Sequence, residues 1–147
     1  MKFNPKVTVI TPVYNAEKFL CEAIESVIGQ AFSDWEMILV NDCSTDSSID
    51  IINSYIDHDS RIKVINLTEN SGAAVARSIA ISRSSSEYIA FLDSDDVWDP
   101  LKLKRQIEFM KGEINFSCTS YRQFYDKPDI LSHIIDNNSL GIFDYDY

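Results

Sequence analysis

A chain of 147 residues, 45% of them hydrophobic, has the material for one globular domain with a buried core. Its 23 acidic residues against 13 basic ones give a formal charge of −10, which excludes a sequence-independent nucleic-acid binder, because such a protein needs a basic face to displace counterions from phosphates. Cys21, Cys43 and Cys118 share no close spacing, and histidine occurs only as His58 and His133, so a disulfide scaffold, a zinc cluster and a Ser-His-Asp triad are all poorly supplied. No apolar run approaches the roughly 20 residues that span a bilayer, and the stretch from Met1 to Lys6 lacks the charged-then-apolar order of a signal peptide; the expected location is the cytoplasm.

Val7-Thr8-Val9-Ile10-Thr11 is a β-branched run closed by Pro12, which predicts a buried strand followed by a turn. Phe19, Leu20, Ala23, Ile24, Val27 and Ile28 recur at helical spacing and predict an amphipathic helix ending near Gly29. Trp35 to Val40 reads as a second buried strand, Asn41 to Asp46 as a polar loop of helix-capping residues, and Ile49, Ile52, Tyr55 and Ile56 as a second helix. Ile62 to Leu67 is a third strand. Its exit loop, Thr68 to Gly72, leads into a small-residue-rich helix from Ala73 to about Ser82, with Val75 and Ile79 toward the core. Tyr88 to Leu92 is a fourth strand. After Pro100, Leu101, Leu103, Ile107, Phe109 and Met110 describe a helix with Lys102, Lys104 and Arg105 on its polar side. Asn115 to Tyr121 is a weaker strand, and a turn is expected around Asp126-Lys127-Pro128-Asp129.

Strands alternate with helices, and the crossovers are long enough for parallel pairing. The pattern predicts an α/β fold, a mostly parallel sheet with helices on both faces. In such sheets ligands sit beyond the carboxyl ends of the strands. Tyr14, Asp42, Gly72 and the run Asp93 to Asp96 all fall just after predicted strands, so they are expected to converge on one crevice.

The fourth strand ends in Asp93-Ser94-Asp95-Asp96. Residues i and i+2 of an extended segment face the same side, so Asp93 and Asp95 can address one ligand. Their repulsion is relieved by a hard cation such as Mg²⁺ or Mn²⁺, which needs only one or two carboxylates when substrate phosphates supply the rest; the alternative is a solvated acidic turn. Asp42 fits either an acceptor for the N–H of a pyrimidine base or a plain helix N-cap. Arg77, early in its helix, suits a diphosphate or a neighbouring carboxylate, with Ala73 and Ala80 beside it leaving room for a ligand; the alternative is a surface arginine. Tyr14 can stack on a base or plug the sheet's edge, Glu17 reads as a first-turn helix charge near the cleft, and Trp98 fits a sugar pocket or the core. Neither G-x-G-x-x-G nor G-x-x-x-x-G-K occurs, so the phosphate work falls to the metal.

Four motifs in order, Val9 to Asn15, Ile38 to Asp46, Asn70-Ser71-Gly72 with Ala76-Arg77, and Phe91 to Trp98, resemble the nucleotide-binding half of a family 2 glycosyltransferase of the GT-A, Rossmann-like fold. The resemblance implies transfer of a sugar from a nucleoside diphosphate donor, a UDP-sugar by expectation, to an acceptor hydroxyl with inversion. By position it implies that Asp42 binds the base beside Tyr14 and Pro12. Asp93 then holds the ribose, Arg77 supports the nucleotide or Asp93, Ser94 completes the nucleotide-binding set, and Asp95 carries Mg²⁺ or Mn²⁺, with Asp96 behind. A glycan or lipid-linked acceptor, peripheral association of the parent protein with the inner membrane face, and a role in polysaccharide synthesis are implied at family level.

Where the family usually has a second aspartate, a glycine and an asparagine, this chain has Asn41, Cys43 and Ser78. Cys43 leads to the expectation that its loop avoids the positive φ that glycine permits. The resemblance also implies a catalytic base in a later acceptor-binding segment, and none is apparent between Arg122 and Tyr147. The expected organisation is a donor-binding domain over residues 1–121 and an incomplete start of the acceptor-binding portion over 122–147, truncated from a longer enzyme whose base lies beyond Tyr147 and inefficient in transfer alone. The other readings are a non-catalytic nucleotide-sugar-binding or interaction module and a sugar-nucleotide nucleotidyltransferase, the latter opposed by the missing glycine- and lysine-rich loop.

Overall fold

The β-branched and apolar runs pair side by side. In a computed structural model, which describes residues 4–111, 114–119, 121–123 and 133–135, β1 (Val7–Val13), β2 (Trp35–Asn41), β3 (Ile62–Asn66) and β4 (Tyr88–Phe91) form a parallel sheet in the order β3-β2-β1-β4. The connecting helices are α1 (Leu20–Ile28), α2 (Ser48–Ile56) and α3 (Ala73–Arg83). The chain steps from β1 to β2 to β3 in one direction and then returns past β1 to β4. Right-handed crossovers therefore place α1 and α2 on one face and α3 on the other. The core follows: α1 buries Leu20, Ala23, Ile24 and Val27, while Ala76 and Ala80 of α3 join Ile10, Ile38 and Val40.

Three expectations change. β1 does not stop at Thr11 but runs through Pro12 to Val13. Even-numbered residues of β1 point their peptide groups toward β4, as the Leu92 N–H to Ile10 carbonyl bond shows, and that ladder pairs β1 only as far as Ile10. The missing N–H of Pro12 thus falls where no rung is needed. On α1, Phe19 lies just outside the helix and is half exposed. On α3, Val75 faces outward at 45% exposure and Ile79 is only half-buried, because the helix sits close to the sheet and admits only alanine at the contact.

At the amino ends of the strands a buried polar chain fixes the far end of α3. Glu36, 3% exposed, is paired with Lys63 and accepts the Thr8 hydroxyl at 2.8 Å, and Thr8 in turn meets Ser84 Oγ, just past α3, at 2.7 Å.

The chain divides into two compact units, Met1–Pro100 and Leu101–Tyr147. In the second, α4 (Lys102–Phe109) buries Leu103, and β5 (Tyr121–Gln123) pairs antiparallel with β6 (His133–Ile135). Pro100 precedes α4, whose N-cap is Leu101. Residues 114–119 form no strand, contrary to the pattern over Asn115 to Tyr121: Ser117 instead accepts Gln106 from α4 at 3.0 Å. The turn expected at Asp126 to Asp129 lies outside the described residues.

Candidate functional site

Beyond the carboxyl ends of β1, β2 and β4 lies an open cleft of about 260 Å³. β1 contributes Pro12, the residues just past β1 and β2 contribute Tyr14 and Asp42, and α3 contributes Ala73 and Arg77. The segment after β4 closes it with Asp93, Ser94 and Asp95. All residues singled out for a nucleotide or a metal are thus brought to one place. Trp98, half-buried, does not line the cleft, and neither does Glu17.

Asp42 is 2% exposed, and its two carboxylate oxygens accept the backbone N–H groups of Ser71 at 2.7 Å and Gly72 at 2.8 Å. Gly72, at φ 85, turns the chain into α3 without a side-chain cap. The Asp42 carboxylate supplies the anion that this helix start favours. It is therefore not the N-cap of its own following helix: that position is held by Ser47, and the side chain bonded at that helix start is Asp46, whose Oδ1 accepts Ser48 N–H at 2.9 Å. With one lone pair on each oxygen taken by the loop, the carboxylate keeps others for a ligand donor at the cleft.

Arg77 forms an ion pair with Asp93. It is not a free surface arginine, and its neighbour Ala80 is packed in the core, so only Ala73 leaves space beside it. The β4 exit is a tight turn in which Asp96 N–H bonds the Asp93 carbonyl at 3.1 Å. Burial, then the charges of Asp95 and Asp93, raise the Asp96 carboxyl above its ordinary pKa. Asp95 is exposed and has no hydrogen bond or ion pair among the described residues. Also among the described residues, no three His, Cys, Asp or Glu side chains are grouped to hold a metal by themselves. Crowded carboxylates of which only Asp93 has a side-chain partner among the described residues fit a divalent cation shared with a ligand's phosphates rather than a protein cage.

Cys43 adopts φ 62, contrary to the expectation that its side chain would keep the loop out of the left-handed region. Asn41, where a second aspartate was the family pattern, bonds Asn66 Oδ1 through Nδ2 at 3.0 Å and accepts Ser44 N–H at 3.1 Å, which holds that turn. Asn15 is likewise left-handed at φ 50. The ties that these loops make to each other escaped the motif reading; their only signal in sequence is the density of Asn, Ser, Thr and Asp in both.

The sequence model of glycosyl transferase family 2 matches residues 8–145. The chain belongs to that family. Among its relatives, a Bacillus subtilis protein named for teichuronic acid biosynthesis, TuaG, is 50% identical over 120 residues, covering 81% of this chain and 48% of TuaG. An Escherichia coli protein, named WfgD and described as a UDP-Glc:α-D-GlcNAc-diphosphoundecaprenol β-1,3-glucosyltransferase, is 38% identical over 135 residues, covering 91% of this chain and 48% of WfgD. The crystal structure of S. aureus TarS 1–349 with UDP-GlcNAc superposes with a TM-score of 0.68 at 35% identity, over 71% of this chain and 31% of that one. The family 2 chain thus has the GT-A fold, and it spans about half the length of TuaG and WfgD.

Proposed function

We propose that the cleft binds the nucleotide of a nucleoside diphosphate sugar, a UDP-sugar foremost, and that the parent protein transfers the sugar with inversion to an acceptor hydroxyl. The observation that carries this is the convergence of Asp42, Arg77, Asp93 and Asp95 in one cleft, in a chain 35% identical to a protein crystallised with UDP-GlcNAc. A carboxylate already fixed as an acceptor by two amide donors selects a base edge that presents an N–H. Uracil and guanine offer one; cytosine and adenine offer a ring acceptor there. Tyr14, 53% exposed at the rim beside Pro12, provides a face for the base.

Asp93, oriented by Arg77, and Ser94 are assigned to the ribose and nearby phosphate oxygens. Asp95 is the residue to hold Mg²⁺ or Mn²⁺, which when bound neutralises the charge that grows on the departing diphosphate. The name of WfgD, a protein acting on a diphosphoundecaprenol-linked sugar, supports a lipid-linked acceptor; polysaccharide assembly at the cytoplasmic membrane face is proposed with it. No helix among the described residues is long and apolar enough to cross a membrane. The catalytic base is assigned to a segment of the parent protein following the donor cleft.

Titration calorimetry tests the reading. UDP and GDP should bind in Mn²⁺ more tightly than CDP and ADP, and UDP affinity should fall at least about tenfold on chelation of the metal or in Asp95→Ala, an effect the size of one charge-assisted contact. Equal UDP affinity with and without metal would remove the cation from the mechanism; no UDP binding at all would remove the donor reading.

A further inference from the structure

The last rung between β1 and β2 is the bond from Asp42 N–H to the Val13 carbonyl, 2.8 Å long. Past it the two chains part, one toward Tyr14 and the other through Asp42 into the loop before α2, yet they are tied again by side chains. Asn15 N–H donates to Ser44 Oγ at 3.1 Å, and Asn15 Oδ1 accepts Thr45 N–H at 2.8 Å. One step further out the exchange repeats: Glu17 N–H donates to Asp46 Oδ2 at 3.0 Å, and Glu17 Oε2 accepts Ser47 N–H at 3.0 Å. Each loop gives backbone donors to the other's side chains, so the four bonds act as side-chain rungs that extend the strand pairing into the loops.

These bonds are exposed, and exposed hydrogen bonds add little to global stability. What they fix is local. Asn15 at φ 50 follows Tyr14 directly, and Cys43 at φ 62 follows Asp42 directly, so both turns that aim the cleft residues are held by the same clasp. Burial pushes the Asp46 carboxyl up, but hydrogen bonds from Ser48 and the Glu17 N–H outweigh it and leave its pKa lowered, in keeping with a carboxylate that works as an acceptor.

We propose that Asn15, Glu17 and Asp46 are positioning residues for nucleobase recognition: the clasp they form sets the slot between Tyr14 and Asp42 and thereby the preference for one base edge. This rests on the donor reading of the cleft. None of the three lines the cleft, so they act through Tyr14 and Asp42 rather than by touching the ligand.

The test separates the base from the diphosphate. In the full chain with saturating Mn²⁺, calorimetry on wild type, Asn15→Gly and Glu17→Ala would compare UDP, CDP and inorganic pyrophosphate, with thermal midpoints recorded alongside. Asn15→Gly tolerates the left-handed backbone and removes the side-chain acceptor of the Thr45 N–H. UDP affinity should fall about tenfold, the scale of one or two lost hydrogen bonds, and the UDP-over-CDP ratio should collapse, while pyrophosphate affinity and the midpoint stay at wild-type values. Asn15→Asp and Glu17→Gln, which keep the acceptor oxygen, should restore the ratio. Wild-type UDP affinity and ratio in Asn15→Gly and Glu17→Ala would overturn the inference, as would parallel loss of UDP and pyrophosphate or a lowered midpoint that the conservative variants do not rescue, since those mark a merely structural role. If wild type binds pyrophosphate with Mn²⁺ but shows no preference for UDP, the donor reading itself has failed and the inference falls with it.

Discussion

Cys43 holds φ 62, a left-handed conformation that costs a residue with a Cβ about 1 kcal/mol or more. Its neighbours keep it there: Asp42 N–H is bonded to Val13 at 2.8 Å on one side and Ser44 N–H to Asn41 Oδ1 at 3.1 Å on the other. Glycine at this position would remove the steric cost but return about 0.4–1 kcal/mol of freedom to the unfolded chain, so Cys43→Gly should be neutral or stabilising by less than about 1 kcal/mol. Cys43→Val, β-branched in the left-handed region, should lose about 1–2 kcal/mol. Urea unfolding measures both, and a valine variant as stable as the glycine one would show that the loop carries no such strain. The same loop marks how far single residues are legible. Asp42, Asp93 and Asp95 stand out because charged side chains just after apolar strands have few structural reasons to be there, and Arg77 because the start of a helix disfavours a cation. The backbone angle of Cys43 is not legible from its type, because hydrogen bonds from residues on either side decide it.

α3 carries Arg77 into the cleft, and its seat on the sheet is made by Ala76 and Ala80, both fully buried against Ile10, Ile38 and Val40. Ala80→Leu would force three extra carbons into this close contact, at an expected cost of about 1–3 kcal/mol, and would lift α3. The Arg77–Asp93 pair should loosen with it, so UDP affinity falls in the same variant. Val75→Gln, on the outward face, should change stability by less than about 0.5 kcal/mol. Thermal unfolding paired with UDP titration reads both quantities; an Ala80→Leu variant of wild-type stability would mean the helix does not sit where the core places it. Strand and helix order is legible because each period recurs over several residues. The seat of α3 is not, since a search for large apolar residues points to Val75, whereas close packing on a sheet selects the smallest. Likewise Pro12 reads as a strand's end until the register shows that its peptide faces past the last rung of β4.

At the scale of the molecule, a formal charge of −10 meets a ligand that is itself a polyanion. The cleft does not reverse that sign locally: the only cation among its described lining residues, Arg77, is paired with Asp93, Asp42 is engaged by amides, and Asp95 is unpaired. Without a dication the diphosphate is repelled by Asp95 at short range and by the surface at longer range. Raising salt shortens the Debye length to about 8 Å at physiological ionic strength and should therefore strengthen metal-free UDP binding. With Mn²⁺ present the short-range sign is inverted, and the same salt should weaken binding. Asp95→Asn isolates the local part. Removing one charge roughly 6 Å from the phosphates is worth somewhat under 1 kcal/mol in water, so the variant should bind UDP about threefold better than wild type in EDTA and distinctly worse in Mn²⁺. Calorimetry at low and high NaCl, with and without metal, on these two proteins tests the crossing directly; if Asp95→Asn is weaker under both conditions, the Asp95 charge does not repel the metal-free diphosphate and this electrostatic account fails.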